Sequence, residues 1–406
     1  MKVLMINSVC GIGSTGRICT DLAELLEKQG HQCKIAYGRA NLPEKYQKYA
    51  VRIGNDFSVK LHGVETRLFD KHGLGSRVAT REFIKHIQEY DPDIIHLHNL
   101  HGYYINIEIL FDYLKKANKK VVWTLHDCWS FTGHCAHFDY AGCDKWQYQC
   151  RDCELMREYP KSFFDGSKRN FEIKKNAYSS LQNMTLVAPS KWLQQMTKKS
   201  FLKDNPIHVF PNGIDLNQFT HSTNSKFKLE NGLQEKYMVL AVAGVWTKAK
   251  GIDYVNQLSE QLPANYQVVA VGKLSPGEVF SNKVLHVLAT DSIDKLREMY
   301  SAADVFVNPT LQETQGLTTV EALACGTPVV VFNSGGAGEA VESSCGFVVP
   351  RGDYDSLQRG VIEACEKRCF SIELCQSVAK MYDKNECYGR YLKLYEELLE
   401  EKHDEP

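Results

Sequence analysis

The stretch Lys2–Gln29, KVLMINSVCGIGSTGRICTDLAELLEKQ, combines three signals that together indicate one type of fold. Residues 2–8 are mostly apolar and have the length of a buried strand, and the glycines of residues 10–17 favour a tight turn. From Ile18 onward the apolar positions recur with the 3.6-residue period of a helix. A strand, a glycine-rich turn and a helix in this order begin a doubly wound α/β sheet.

This order returns later in the chain, so the sequence predicts two α/β domains. Residues 238–243 are again apolar and precede a glycine-containing segment and a helical run. In both halves strand-length apolar runs alternate with helical patterns, which predicts parallel sheets with helices on both faces. We expect an N-terminal Rossmann-like domain over residues 1–215 and a C-terminal one over 216–387, facing each other across a cleft. An amphipathic helix at 388–402 would complete the N-terminal domain.

The composition excludes several classes of protein. With 406 residues, 43% hydrophobic and 24% charged, the chain is long and apolar enough for two or three folded domains. Its net charge of −1 argues against a nucleic-acid-binding protein, which needs excess positive charge. No apolar run approaches the roughly 20 residues of a membrane-spanning helix. The apolar run at the N-terminus is too short for a secretion signal, so we expect a cytoplasmic protein.

The most informative motif is residues 313–328, ETQGLTTVEALACGTP. We interpret its first part as a loop that leaves a strand, with Gly316 allowing close backbone approach. The amides of Leu317 and Thr318 then begin a helix, and a helix N-terminus attracts anions. Glu321 falls one turn into that helix, where its carboxylate could bind the hydroxyls of a ribose. The alternative is that both glutamates of the motif only interact favourably with the helix dipole.

The whole motif resembles the Glu-x(7)-Glu signature of retaining, nucleotide-sugar-dependent glycosyltransferases of the GT-B fold. This family includes sucrose synthase and bacterial capsule, exopolysaccharide and lipopolysaccharide transferases. The resemblance continues over nearly the whole chain, in the order typical of the family. Besides the glycine-rich turn at the N-terminus, the matching segments are residues 93–98, 124–127, 211–215, 250–251 and 335–339.

The resemblance implies that a sugar is transferred from a nucleotide-diphosphate sugar, with retention, to a sugar or lipid-linked sugar acceptor. It also implies a place in bacterial surface polysaccharide biosynthesis. In this family Glu321 would bind the nucleotide ribose, and Glu313 the hydroxyls of the donor sugar. The diphosphate would be bound by a lysine and by the amides at the helix start, which are here Lys250, Gly316, Leu317 and Thr318.

Further site residues follow from the same resemblance. Gly13 lies in the turn that would close over the donor phosphates. His126 would contact the donor sugar near the reacting carbon. The alternative is that His126 is a core residue whose hydrogen bonds are satisfied inside the protein. The chain departs from the family at Val245, where an arginine is common. Lys248 could supply that second positive charge, as a point charge without the bidentate geometry of arginine.

The expected mechanism needs neither a protein base nor a metal ion. The departing diphosphate oxygen would accept the acceptor proton, while preset amides and lysines stabilise its charge. Metal-dependent folds carry an Asp-x-Asp at a strand end, whereas here residues 91–93 precede a strand and residues 353–355 lie in a turn. The rival hypotheses are an epimerase or phosphorylase on this fold, and a non-catalytic protein that interacts through a zinc-bound loop.

Cysteines are concentrated in the loop 128–153, which holds five of the 14 in the chain. Clustered cysteines in the cytosol favour metal binding, and four ligands suit a structural zinc ion. The most compact set is Cys135, Cys143, Cys150 and Cys153, with His134, His137 and Cys128 as substitutes. Free thiols and a redox-labile pair are the alternatives.

A lipid-linked acceptor would require peripheral contact with a membrane. The lysines at 115, 116, 119 and 120 are candidates for this contact, and ordinary surface charge is the alternative explanation.

Overall fold

A computed structural model describes residues 1–288, 292–367 and 370–400, which form two compact units. The first comprises Met1–Pro211 together with the chain from Tyr388 onward, and the second comprises Asn212–Cys387. Each unit contains one parallel sheet with helices between its strands. The predicted fold class, two doubly wound α/β domains, is confirmed.

The first unit has a seven-stranded sheet in the order β3-β2-β1-β4-β5-β6-β7. Its strands and helices are β1 Lys2–Asn7, α1 Gly13–Lys28, β2 Gln32–Tyr37, β3 Ala50–Arg52, α2 Asp56–Phe69, α3 Arg77–Tyr90, β4 Ile94–Leu97, α4 Ile107–Ala117, β5 Lys120–Thr124, α5 Ser167–Tyr178, β6 Met184–Ala188, α6 Lys191–Lys198 and β7 Ile207–Val209.

The second unit has a six-stranded sheet in the order β10-β9-β8-β11-β12-β13. Its strands and helices, followed by the C-terminal helix, are α7 Phe227–Glu230, β8 Tyr237–Trp246, α8 Ile252–Gln261, β9 Tyr266–Leu274, β10 Leu285–Val287, α9 Ile293–Ala302, β11 Val305–Asn308, α10 Leu317–Ala324, β12 Val329–Asn333, β13 Gly346–Pro350, α11 Tyr354–Lys367, α12 Ile372–Ala379 and α13 Lys384–Glu400.

The direction of strand order reverses once in each sheet, between β1 and β4 and between β8 and β11. Both pairs are parallel. The central strands are buried on both faces, as in β4, where all four residues are buried. Polar side chains therefore collect at the carboxyl ends of the strands, and ligands of open α/β sheets bind where the strand order reverses.

Some elements were not predicted from the sequence, among them β3, α2 and α11. The short strand β3 lies at the sheet edge and is half-buried along its length, so its residues lack a clear apolar pattern. The C-terminal helix α13 begins at Lys384, before the predicted start, and residues 401 and 402 lie outside the described part of the chain. None of the described helices is long and apolar enough to cross a membrane.

Candidate active site

The loop that follows β11 brings a cation and a carboxylate together. Lys250 Nζ lies 2.6 Å from Glu313 Oε2, and both side chains are partly exposed. Ion pairs at this level of exposure contribute little to stability, so either partner can be exchanged for a ligand at low cost. The structure thus places two of the predicted site residues in direct contact.

Two glycines allow neighbouring loops to lie very close to the loop that follows β11. Gly251 has φ +82°, and a Cβ atom there would collide with the carbonyl of Pro309. Gly335 has φ +56°, and a Cβ atom there would collide with the carbonyl of Glu313. Leu311 N also donates to Ala249 O at 2.8 Å, so the lysine loop and the glutamate loop are bonded through their backbones.

Helix α10 begins directly after this loop. Gly316 is its N-cap residue and has no side chain that could cap the first-turn amides. The Leu317 amide donates to the Gln315 carbonyl at 3.0 Å, and the Thr318 amide follows it in the first turn. One turn further, Glu321 accepts a hydrogen bond from the buried Tyr300 hydroxyl at 2.9 Å. This bond fixes the orientation of the Glu321 carboxylate.

Gln315 was not singled out from the sequence, yet it ties the motif to the start of the second unit. Its Oε1 accepts hydrogen bonds from the backbone N and the side-chain Nδ2 of Asn212, both at 2.8 Å. Its Nε2 donates to the Asn212 carbonyl at 3.1 Å. Both residues are buried, so Gln315 satisfies polar groups that have no access to water.

The remaining predicted donor residues lie in loops and at a helix start. Lys248 is exposed and belongs to the same short 3-10 turn as Lys250. Val245, at the position of the missing arginine, is half exposed near the end of β8. Gly13, in the first unit, has φ +62° and open space where a Cβ atom would lie, at the first residue of α1.

His126 follows β5 and belongs to a row of histidines in the first unit. Its Nε2 lies 2.9 Å from His98 Nδ1, and the two rings are stacked with centroids 5.2 Å apart. His98 in turn lies against His96, whose Nδ1 contacts the Tyr395 hydroxyl of α13 at 2.6 Å. Burial lowers the pKa of His126 to about 4, so its imidazole is neutral at neutral pH.

A second polar pair lies beside His126. Asp127 Oδ2 is 2.7 Å from His101 Nε2, and His101 Nδ1 is 3.2 Å from the Tyr159 hydroxyl. Although burial alone would raise it, the pKa of Asp127 is lowered to about 2 by the charge and hydrogen bond of His101. Asp127 is thus a fixed anion next to the candidate histidine.

The four cysteines predicted to bind zinc, Cys135, Cys143, Cys150 and Cys153, line one small cavity of about 20 Å³ together with His134. All four are free thiols in the structure. Among the described residues, no three His, Cys, Asp or Glu side chains lie in an arrangement that could hold a metal ion. Zinc binding stays a prediction, which metal analysis of the purified protein would test.

Two doubly wound parallel sheets in one chain are the architecture of the GT-B glycosyltransferases, and comparison with known proteins places the chain in this class. The model of Glycosyltransferase Family 4 matches residues 15–218, about half of the chain. The model described as glycosyl transferases group 1 matches residues 236–367. The chain belongs to Glycosyltransferase Family 4, and the protein is a glycosyltransferase.

Individual relatives agree with this assignment. WcaC of Escherichia coli K12, named as a colanic acid biosynthesis glycosyl transferase, is 25% identical over 86% of this chain and 87% of its own length. Among solved structures, sucrose-phosphate synthase from Thermosynechococcus elongatus superposes with a TM-score of 0.74 at 18% identity, covering 98% of both chains. Anabaena HepE, solved with UDP and glucose, has a TM-score of 0.69 at 16% identity, covering 98% of this chain and all of its own.

We predict that Gln315→Ala destabilises the second unit by about 1–3 kcal/mol, because it leaves buried polar groups of Asn212 without partners. Chemical unfolding of the variant and the parent protein measures this difference. The neighbouring Gln312→Ala, at a half-buried position, is the control and should change stability by no more than about 0.5 kcal/mol. Equal stability of the Gln315 variant and the parent would refute the proposed role of these bonds.

We predict that the first unit becomes less stable in acid, because this unit buries several neutral histidines. Burial lowers the pKa of His62 and of His126 to about 4, and those of His72, His96 and His98 fall well below the ordinary value. The unfolded chain, with histidine pKa values near 6.5, binds more protons below that pH. The contribution of these neutral histidines to the free energy of unfolding is therefore fully present above pH 6.5. Between pH 6.5 and pH 4 it declines by about 1.4 kcal/mol per pH unit for each histidine.

Urea unfolding at pH 7, 6 and 5 measures this decline. His62→Asn should remove about one histidine's share of the slope, whereas His86→Asn, at an exposed position on α3, should leave the slope unchanged. A stability that does not depend on pH in this range would contradict the prediction.

Proposed function

We propose that the protein transfers a sugar from a nucleotide-diphosphate sugar, with retention of configuration, to a sugar or lipid-linked sugar acceptor in bacterial surface polysaccharide biosynthesis. The observation that carries the proposal is the contact between Lys250 and Glu313 immediately before the start of α10. A cation from the turn after β8 thereby meets a carboxylate and a helix N-terminus from the segment after β11, as recognition of a sugar diphosphate requires.

Each group has a part in binding the donor. Lys250 neutralises the diphosphate together with the amides of Gly316, Leu317 and Thr318, and Lys248 adds a second positive charge. Glu313, once its lysine turns to the diphosphate, accepts hydrogen bonds from donor-sugar hydroxyls. Glu321, oriented by Tyr300, accepts hydrogen bonds from the ribose.

The proposed reaction breaks the bond between the anomeric carbon and the diphosphate oxygen while the acceptor oxygen bonds to the same face of the carbon. The proton of the acceptor hydroxyl passes to the departing diphosphate oxygen, so charge is balanced without a protein base. His126 suits a binding role in this scheme, because an imidazole whose pKa is about 4 is a weak proton acceptor. We assign it to a hydroxyl of the transferred sugar.

The relatives support the substrate class. HepE was solved with UDP and glucose, which are the parts of a nucleotide-sugar donor. WcaC carries the name of a colanic acid biosynthesis enzyme, and it matches the present chain over most of its length. We extend both properties to this protein as parts of the proposal.

A thermal-shift panel of UDP-, GDP-, ADP- and CMP-sugars tests the donor class. A ligand that binds the folded state raises its melting temperature, by an amount that grows with the ratio of its concentration to its Kd. We expect one nucleotide series to stabilise the protein. If none does, the proposal is rejected, and if a labelled donor is epimerised without acceptor, the epimerase hypothesis replaces it.

Lys250→Ala should lower kcat of sugar transfer by about 10²- to 10³-fold, the usual cost of removing one group that stabilises developing charge. Lys250→Arg should recover part of this loss because it keeps the charge. Lys226→Ala, which removes an exposed lysine just before α7, is the control and should retain full activity. Transfer by Lys250→Ala at more than about a third of the parental rate would contradict a role in leaving-group stabilisation.

A further inference from the structure

Helix α2 has an inverted distribution of polar and apolar residues. Its buried residues are His62 and Thr66, both polar. Except for Val59, which packs partly buried against the core, its apolar residues are exposed. Solvent reaches 75% of Phe57, 51% of Leu61, 53% of Val64 and 39% of Leu68. These four positions are spaced by four, three and four residues, so they form one stripe along the outer face of the helix.

The chain before α5 extends this stripe. Phe163 and Phe164 are 75% and 64% exposed. Phe163 N donates to Arg67 O at 2.8 Å, and Ser162 Oγ donates to the same oxygen at 3.3 Å. The two phenylalanines are therefore fixed beside the C-terminal end of α2. We call the set Phe57, Leu61, Val64, Leu68, Phe163 and Phe164 the α2 patch.

Positive charges border the α2 patch. Lys60 and Arg67 are seven residues apart on α2 and lie along the same flank of the stripe. The Arg67 guanidinium is 5.8 Å from the centre of the Phe163 ring, and Lys71 Nζ is 5.6 Å from that of Phe69. Two of the aromatic rings at this end of the helix thus have a cation next to them.

The acidic residues near the α2 patch offset this charge only in part. Asp56 is paired with Arg52 at 2.5 Å, and the Asp70 carboxylate is buried against His134 at 2.7 Å. Glu65 lies on the opposite flank of the stripe from Lys60 and Arg67. Asp165, which follows Phe164, accepts hydrogen bonds from the amides of Cys153 and Ser167, both at 2.8 Å. One edge of the patch is therefore cationic.

We propose that the α2 patch docks on the surface of an anionic lipid bilayer. The leucines, valine and phenylalanines would enter the boundary between headgroups and acyl chains, while Lys60, Arg67 and Lys71 would contact lipid phosphates. Lysine is depleted in protein–protein interfaces but common beside the apolar face of interfacial helices, which favours lipid over a second protein chain. The proposal concerns only exposed side chains of the first unit, so it does not depend on the donor or the stereochemistry proposed above.

This surface differs from the lysines 115–120 considered in the sequence analysis. Two of those lysines have acidic partners, since Lys119 is 2.6 Å from Asp91 and Lys115 is 3.9 Å from Asp112. The stretch also offers less apolar surface, because helix α4 turns its apolar residues Ile107, Leu110, Phe111 and Leu114 into the core.

Co-sedimentation of the full chain with vesicles tests the proposal. Vesicles of phosphatidylcholine alone are compared with vesicles that also contain phosphatidylglycerol. We expect the protein to bind the anionic vesicles more tightly and to be released by salt. The double variants Phe57→Ser/Leu61→Ser and Phe163→Ser/Phe164→Ser should each weaken binding by at least about tenfold, because each removes two large apolar side chains from the lipid.

Matched controls separate this effect from general loss of surface hydrophobicity. Leu229→Ser and Val279→Ser remove apolar side chains that are 63% and 72% exposed in the second unit, and they should leave vesicle binding unchanged. Lys60→Gln/Arg67→Gln should remove the preference for anionic vesicles. Melting temperature and nucleotide binding of all variants report whether they are folded and whether the donor site is intact.

Three results would overturn the proposal. The first is that the parent protein fails to bind either type of vesicle. The second is that patch and control variants bind equally well. The third is a self-association, seen by sedimentation velocity without lipid, that the patch variants abolish, since this would assign the patch to a second copy of the chain. Donor binding that persists in any of these cases would leave the proposed function standing.

Discussion

The candidate donor site depends on the close approach of three backbone segments at the carboxyl ends of β8, β11 and β12. Gly251 and Gly335 make this approach possible, because a Cβ atom at either position would collide with a carbonyl of the loop after β11. Both have positive φ, which glycine adopts at no steric cost. The contact between Lys250 and Glu313 is a consequence, since the lysine turn is bonded to that loop through its backbone. The site is thus positioned mainly by backbone contacts, and its side chains remain able to respond to a ligand.

In the first unit the main constraint is different, because imidazole side chains lie inside a parallel sheet and need hydrogen-bond partners there. His96 lies in the fully buried strand β4, where an unpaired ring nitrogen would be costly. Thr124 and Tyr395 contact its two nitrogens at 2.8 and 2.6 Å. Tyr395 belongs to α13, so the C-terminal helix completes a polar network that leads through His98 to His126. Burial keeps these rings neutral, and a pKa of about 4 makes His126 a weak base that is better suited to hydrogen bonding than to proton abstraction.

The sequence predicted the fold well because parallel strands buried on both faces produce continuous apolar runs. Every strand of the described residues except β3 could be located in this way, and the helix start at Gly316 followed from the pattern of residues 313–328. Contacts between distant residues could not be found in the same way. Gln315 and Asn212 are 103 positions apart, and His96 and Tyr395 are 299 apart. Neither pair has a local signal, because periodicity indicates which residues share a face and not what that face meets.

Helix α2 shows the same limit most clearly. An apolar stripe at helical spacing is normally interpreted as the buried face, since burial of apolar surface drives folding. In α2 the opposite face is buried, because His62 accepts hydrogen bonds from the amides of Gly73 and Gly75 at 3.2 Å and holds the following turn. That polar anchor fixes the rotation of the helix and leaves its apolar stripe exposed. The exposure is therefore built into the fold by specific hydrogen bonds, and it persists only at a free-energy cost that contact with an apolar phase would relieve.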